Sequence, residues 1–221
     1  MGAYLAFGHA GGMISTQSLL FGGAALAALA GIQAEWKEAR TKRFFVLKPL
    51  ATLLMVLAAA MGPTSPFRAL VLVALTLGLI GDVFLLFEGE RAFLGGLGSF
   101  LIAHLAYVAA FIKMGAHRPP LWSGVFALYA VLFFAWLLPK TGAMKVPVLI
   151  YGVVLLAMGL SGAALFHAGS VRGPLVITGV VLFLFSDSAL AARLFGGPYP
   201  FAQPLVLATY YGAIGCFAAA V

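Results

Sequence analysis

Two aspartates stand where carboxylates are costly. Asp82 lies in Leu79–Phe87 (L-I-G-D-V-F-L-L-F), near the end of an apolar run that begins at Phe67. Asp187 lies in Phe183–Ala192 (F-L-F-S-D-S-A-L-A-A). On insertion scales a carboxylate at the centre of a spanning helix costs roughly 3 kcal/mol, so such residues mark a site by default. The other acids, Glu35, Glu38, Glu88 and Glu90, fall in short polar breaks. Two acids in one apolar setting can move protons. They suit acid–base catalysis on a bound substrate, or proton coupling in a carrier. The bland alternative is that each pairs with Lys48, His104 or a tyrosine to lock helices together.

The elements that hold them follow from composition. Of 221 residues, 63% are hydrophobic and only 9% charged, and mean hydropathy is +1.10. A soluble domain carries about a quarter charged residues, so this chain is built for lipid. Eight apolar runs are long enough, or nearly so, to cross a core of about 30 Å: residues 13–34, 44–61, 67–87, 93–113, 121–139, 146–166, 174–195 and 201–221. The breaks are short and rich in turn residues, as in Gly62-Pro63-Thr64-Ser65-Pro66 and Gly196-Gly197-Pro198-Tyr199-Pro200. The expected fold is all-α, a single membrane domain over residues 1–221 built as a bundle of eight transmembrane helices, because helices satisfy their own backbone groups in lipid.

Lys and Arg sort unevenly between the two ends. Lys37, Arg40, Lys42, Arg43, Arg91, Lys140, Lys145 and Arg193 share one side, against Arg68, Lys113, Arg118 and Arg172 on the other. The positive-inside rule makes the first side cytoplasmic and puts both termini on the far side. No basic residue precedes the first run, so it reads as a retained helix in a bacterial-type inner membrane, not a cleaved leader. The net charge of +7 is spread as anchors and topology signals with no basic aromatic stripe, which sets nucleic acid aside.

Depth gathers the polar residues. At about 1.5 Å per residue, Asp82 sits about 8 Å, Asp187 about 12 Å, Lys48 about 6 Å and Ser99 about 9 Å from the cytoplasmic ends of their helices. His104 and Tyr107 share a face of the fourth helix, and Gln203 and Tyr210 a face of the eighth. The inference is a polar pocket opening toward the cytoplasmic leaflet. Lys48 is either a snorkelling lysine or a contact to an anion, Asp82 or Asp187. Pro49 behind it suits a first helical turn. Ser99, Tyr107, Ser186, Gln203 and Tyr210 are candidates to orient water or ligand. His104 is a structural histidine or a proton relay. Trp36, Trp122 and Trp136 read as interfacial belt residues. Helices 3–4 and 7–8 each pair a small-Asp helix with one carrying polar aromatics, a hint of duplication.

Lys48-Pro49, Gly81-Asp82-x-Phe84-Leu85, the run Phe93-x-x-Gly96-x-x-Ser99-Phe100-x-x-Ala103-His104-x-x-Tyr107, Ser186-Asp187-Ser188 and the final helix with Tyr210 together resemble the YhhN family of membrane proteins. The likeness runs from about Phe44 to the C-terminus. It implies hydrolysis of the vinyl-ether bond of lysoplasmalogen, giving a fatty aldehyde and a glycerophospho-ethanolamine or -choline. On that reading Asp82 and Asp187 are the acid–base pair, with lysophospholipid bound by Lys48, Ser99, His104, Tyr107, Ser186, Gln203 and Tyr210, and membrane lipids around it. The order of the two acids stays open. A lysophospholipase acting on ester lipids and a proton-coupled lipid or small-molecule transporter are the alternatives. No metal or other cofactor is expected, since His9, His117 and His167 fall at or outside helix ends and Cys216 is the lone cysteine. No G-x-S-x-G is present for a serine nucleophile. Oligomeric state is not legible.

Overall fold

A computed structural model describes residues 15–36 and 41–221. Lys37, Glu38, Arg40, His9 and the start of the first run lie outside the described residues. The described residues form eight α-helices: α1 Thr16–Ala34, α2 Lys42–Ala60, α3 Pro66–Phe84, α4 Glu90–Lys113, α5 Gly124–Leu137, α6 Lys145–His167, α7 Gly173–Gly196 and α8 Ala202–Ala219. Single 3₁₀ turns flank α5 at Leu121–Ser123 and Leu138–Lys140, and another at Gly142–Met144 leads into α6. The chain is all-helical across the described residues.

Local chemistry sets several starts. Ser15, Thr41 and Ser65 each accept a hydrogen bond from a backbone N–H three residues on, as N-caps do. Pro66 and Pro174 sit in first turns. Pro49 does not. The Thr41 cap starts α2 at Lys42, earlier than the apolar run, and leaves Pro49 inside the helix. There its missing N–H deprives the Phe45 carbonyl of its helical donor. α3 stops at Phe84, three residues before its apolar run ends. Leu86 beyond it still tucks into the core at 6% exposure, so apolarity there reports burial without helix.

Seven helical segments are long and apolar enough to cross a membrane, α5 and α6 being counted with their adjoining 3₁₀ turns as Leu121–Lys140 and Gly142–His167, and α8 is not in that set. Gln203, Pro204, Thr209, Tyr210 and Tyr211 lower its hydropathy. Its position explains the tolerance: α8 packs on α7 and also touches α1, α2 and α3, so it has little surface left for lipid. α1 packs on α2, α3 on α4, and α6 on both α4 and α7. Small residues permit the close approaches: a Cβ at Gly81 would stand 2.7 Å from the Phe100 ring, and one at Gly179 2.6 Å from Phe217. Serines staple two of the pairs, Ser99 donating to the Leu77 carbonyl at 2.6 Å and Ser186 to that of Val206 at 3.0 Å. α5 is the outlier. It touches α6 and a little of α7, and turns Leu128, Val131 and Leu132 outward at 60% exposure or more.

The two ends of the bundle differ. At one, Arg68 donates to the carbonyls of Ala60, the last residue of α2, and Gly62 just beyond it. Arg172 there donates to the Ala220 carbonyl at 2.7 Å and lies over the Phe67 ring. These guanidiniums satisfy helix-terminal carbonyls and close that end. The opposite end holds a cavity.

Candidate active site

Asp82 is 1% exposed and fully partnered. Its Oδ1 lies 3.3 Å from Lys48 Nζ. Its Oδ2 accepts from Thr52 Oγ1 and Tyr210 Oη, each at 2.7 Å. Lys48 and Thr52 are four residues apart on α2, hence on one face. Every partner is a donor, which the acceptor-only carboxylate form satisfies. Because α3 ends early, Asp82 is only two residues from its terminus. Its partners set the true depth: Lys48 six residues into α2 and Tyr210 eight into α8 put it about 9–12 Å below that end of the bundle.

Asp187 has a different setting. Tyr151, from α6, donates to its Oδ2 at 2.5 Å. His104 Nε2 lies 4.0 Å from the same oxygen, beyond hydrogen-bond reach. No hydrogen bond reaches Oδ1 among the described residues. The side chain is 15% exposed against 2% for Asp82. His104 is wholly buried behind it, edge-on to Tyr151 at 5.2 Å and Phe183 at 4.7 Å, with neither nitrogen hydrogen-bonded.

Both carboxylates line one cavity of about 630 Å³. Its rim includes the Glu88–Glu90 turn, Arg193 and Phe195 at the end away from Arg68 and Arg172. Lys48, Ser186, Gln203 and Tyr210 also line it, whereas Ser99, His104 and Tyr107 do not. Ser99 is committed to the Leu77 carbonyl. Tyr107 is 2% exposed and packs against Phe111 and Phe217, ring centroids 6.1 and 4.3 Å away. The polar wall expected from α4 is therefore corrected. That helix presents Glu90 at the rim and Phe93, Leu97 and Phe100 within, because its hydroxyls and imidazole point into helix contacts. Lys48 is 8% exposed and ion-paired, so it does not snorkel. Gln203 accepts from Arg193 Nη1.

Sequence reasoning missed Thr52, Tyr151 and Arg193. Thr52 carried a signal, four residues past Lys48. Tyr151 is a polar aromatic inside an apolar run, the feature that singled out Tyr107. Arg193 was read only as a topology signal. Among the described residues no three His, Cys, Asp or Glu side chains gather closely enough to hold a metal ion.

The described arrangement is thus one pocket with a cation-paired carboxylate, a tyrosine-bound carboxylate and apolar walls. The chain is 32% identical to lysoplasmalogenase TMEM86A of Bos taurus over 156 residues, 68% of this chain and 64% of that protein. It is 34% identical to human lysoplasmalogenase TMEM86B over 160 residues, 69% and 63%. With the rat lysoplasmalogenase TMEM86B it shares 32% over 185 residues, 82% and 71%. The match spans less than two thirds of the length of the cow and human proteins. No solved structure matches the chain. The model of the YhhN family matches residues 43–221, which takes in both aspartates, Lys48 and every helix from α3 onward; the chain belongs to the YhhN family.

Proposed function

We propose that this protein is a membrane hydrolase of the lysoplasmalogenase type, cleaving the vinyl ether of a single-chain phospholipid through Asp187 and Asp82. The carrying observation is that both intramembrane carboxylates line one cavity yet have unlike partners. Divided environments of that kind give two carboxyl groups two roles. Relatives named lysoplasmalogenases support the same reading.

Asp187 is the proton carrier. Tyr151 fixes Oδ2, which leaves Oδ1 to bear the proton and present it to the cavity. Protonation of the alkenyl carbon β to oxygen makes an oxocarbenium ion. Asp82, paired with Lys48 and bonded by Thr52 and Tyr210, stabilises that cation electrostatically in its carboxylate form. Water then adds to the oxygen-bearing carbon and returns a proton to Asp187. The hemiacetal collapses to a fatty aldehyde and a glycerophospho-alcohol, so one water is consumed and both acids end as they began. Arg193 and Gln203 at the rim take the phosphate end, a task Lys48 is not free to do while it is paired with Asp82.

All eight helices span the membrane as one domain on this reading. α8, at 18 residues, is about 27 Å long, and its polarity is spent inside the bundle. The cavity opens to the cytoplasmic leaflet, since its end carries Lys42, Arg43, Arg91, Lys140, Lys145 and Arg193. The test is to incubate purified protein with lysoplasmalogen and, separately, with an ester lysophospholipid. Aldehyde from the first alone is expected. Fatty acid from the second would make it an ester lipase, and proton flux in liposomes without turnover a carrier.

A further inference from the structure

The cavity has a second region that the acid–base chemistry does not use. Tyr129, Phe133 and Phe134 of α5 line it opposite Leu155 and Leu156 of α6 and Leu184 of α7. The α5 residues recur at a spacing that puts them on one face, while Leu128, Val131 and Leu132 of the same helix face outward. α5 therefore stands as a wall beside the bundle, with the cavity between them. It comes close to α6 at Gly152, where a Cβ would lie 1.8 Å from the tip of the Phe134 ring. Only a glycine admits that ring, and this contact sets how near α5 comes to α6.

Position along the helices orders the contents. On α7, Arg193 and Phe195 are at the rim, Asp187 is two turns further in, and Leu184 is deeper still. The polar material ends at the level of Asp187 and Tyr151; beyond it the named walls are carbon apart from the Tyr129 hydroxyl. We propose that this apolar arm along α5 binds the single hydrocarbon chain of the lipid and sets its preferred length. The inference rests on the proposed reading of the cavity as a lyso-lipid site. Its geometry follows that substrate's order: charged head at the rim, reactive bond between the carboxylates, chain beneath. A volume of about 630 Å³ falls in the range of roughly 300–1,000 Å³ that holds one small-molecule ligand.

Ala130 also lines the arm and touches none of the acid–base groups. Ala130→Phe shortens the arm, and Leu156→Ala lengthens it. The probes are saturated 1-alkyl lyso-ether phosphocholines of graded chain length, which have no vinyl ether to cleave, bound to protein in nanodiscs. Wild-type affinity, referred to the free aqueous concentration of probe, is expected to rise about fourfold for each added methylene until the arm is full, then level off. Ala130→Phe moves the plateau to shorter chains and Leu156→Ala to longer ones, with affinity for the shortest probe unchanged. Lysoplasmalogens of the same lengths are assayed alongside for aldehyde. A length profile that ignores both variants overturns the arm, whether or not aldehyde is released. Profiles that shift without any aldehyde keep the arm and remove the hydrolase. Should Ala130→Phe fail to fold, the Leu156→Ala shift decides alone.

Discussion

Asparagine at position 82 and asparagine at position 187 remove the same titratable group, yet the structure makes them unequal. In Asp82→Asn, Lys48 keeps its charge at 8% exposure and loses the carboxylate 3.3 Å away. Removing one partner of a buried pair costs about 3–5 kcal/mol, mostly from the charge left behind. Lys48 borders the cavity, where water relieves part of that, so the lower end applies, about 3 kcal/mol. That is about a hundredfold in the folding equilibrium. Thr52 and Tyr210 still find an acceptor in the amide oxygen. In Asp187→Asn no cation is stranded, because its one bonded partner is the Tyr151 hydroxyl; the expected loss is about 1 kcal/mol. Lys48→Met/Asp82→Asn removes the stranded charge and is expected to recover most of the stability. The assay is reversible unfolding in mixed micelles for wild type, both single variants and the double variant, with turnover in parallel. Both aspartate variants should lose turnover by about 10²–10⁴-fold. Equal stability of the two, or no rescue by Lys48→Met, would refute the pairing argument. Normal turnover in both would refute the chemistry.

Tyr151→Phe removes the one hydroxyl bound to Asp187; turnover is expected to fall about tenfold or more with KM little changed, and in a double-mutant cycle with Asp187→Asn the two losses should not multiply, whereas a double variant whose loss is the product of the single losses would deny the link. Ser99→Ala breaks only the bond to the Leu77 carbonyl, so steady-state kinetics should match wild type while stability drops about 0.5–1.5 kcal/mol in the same unfolding assay. Arg193→Met should raise KM for phospholipid while leaving turnover at saturation near normal, checked by initial rates over a substrate series. Aldehyde release should persist after dialysis against strong chelators, since the described donors do not form a metal-binding group; restoration of lost activity by added zinc would contradict that expectation.

The linear chain determined the class of this protein. Runs of apolar residues separated by Gly-Pro turns leave no other solution in lipid than helices, and two aspartates inside such runs raise the hypothesis of a site whatever surrounds them. Motif order was enough to suggest the family. Which polar groups meet was decided by tertiary structure alone. Asp82 is bound by residues 30 and 128 positions away, and such pairing depends on how each helix is rotated about its axis. In a soluble helix that rotation is written as an apolar stripe; here lipid-facing and core-facing positions are both apolar, so the periodic signal is flat. Hence Lys48 was placed near two acids without choosing Asp82, Tyr151 went unnoticed beside Asp187, and Ser99, identical in type to any catalytic serine, proved to be a staple between α3 and α4. The same flatness hid α5, whose sequence looks like every other span, and whose inward face only the packing of its neighbours turns into the wall of a cavity.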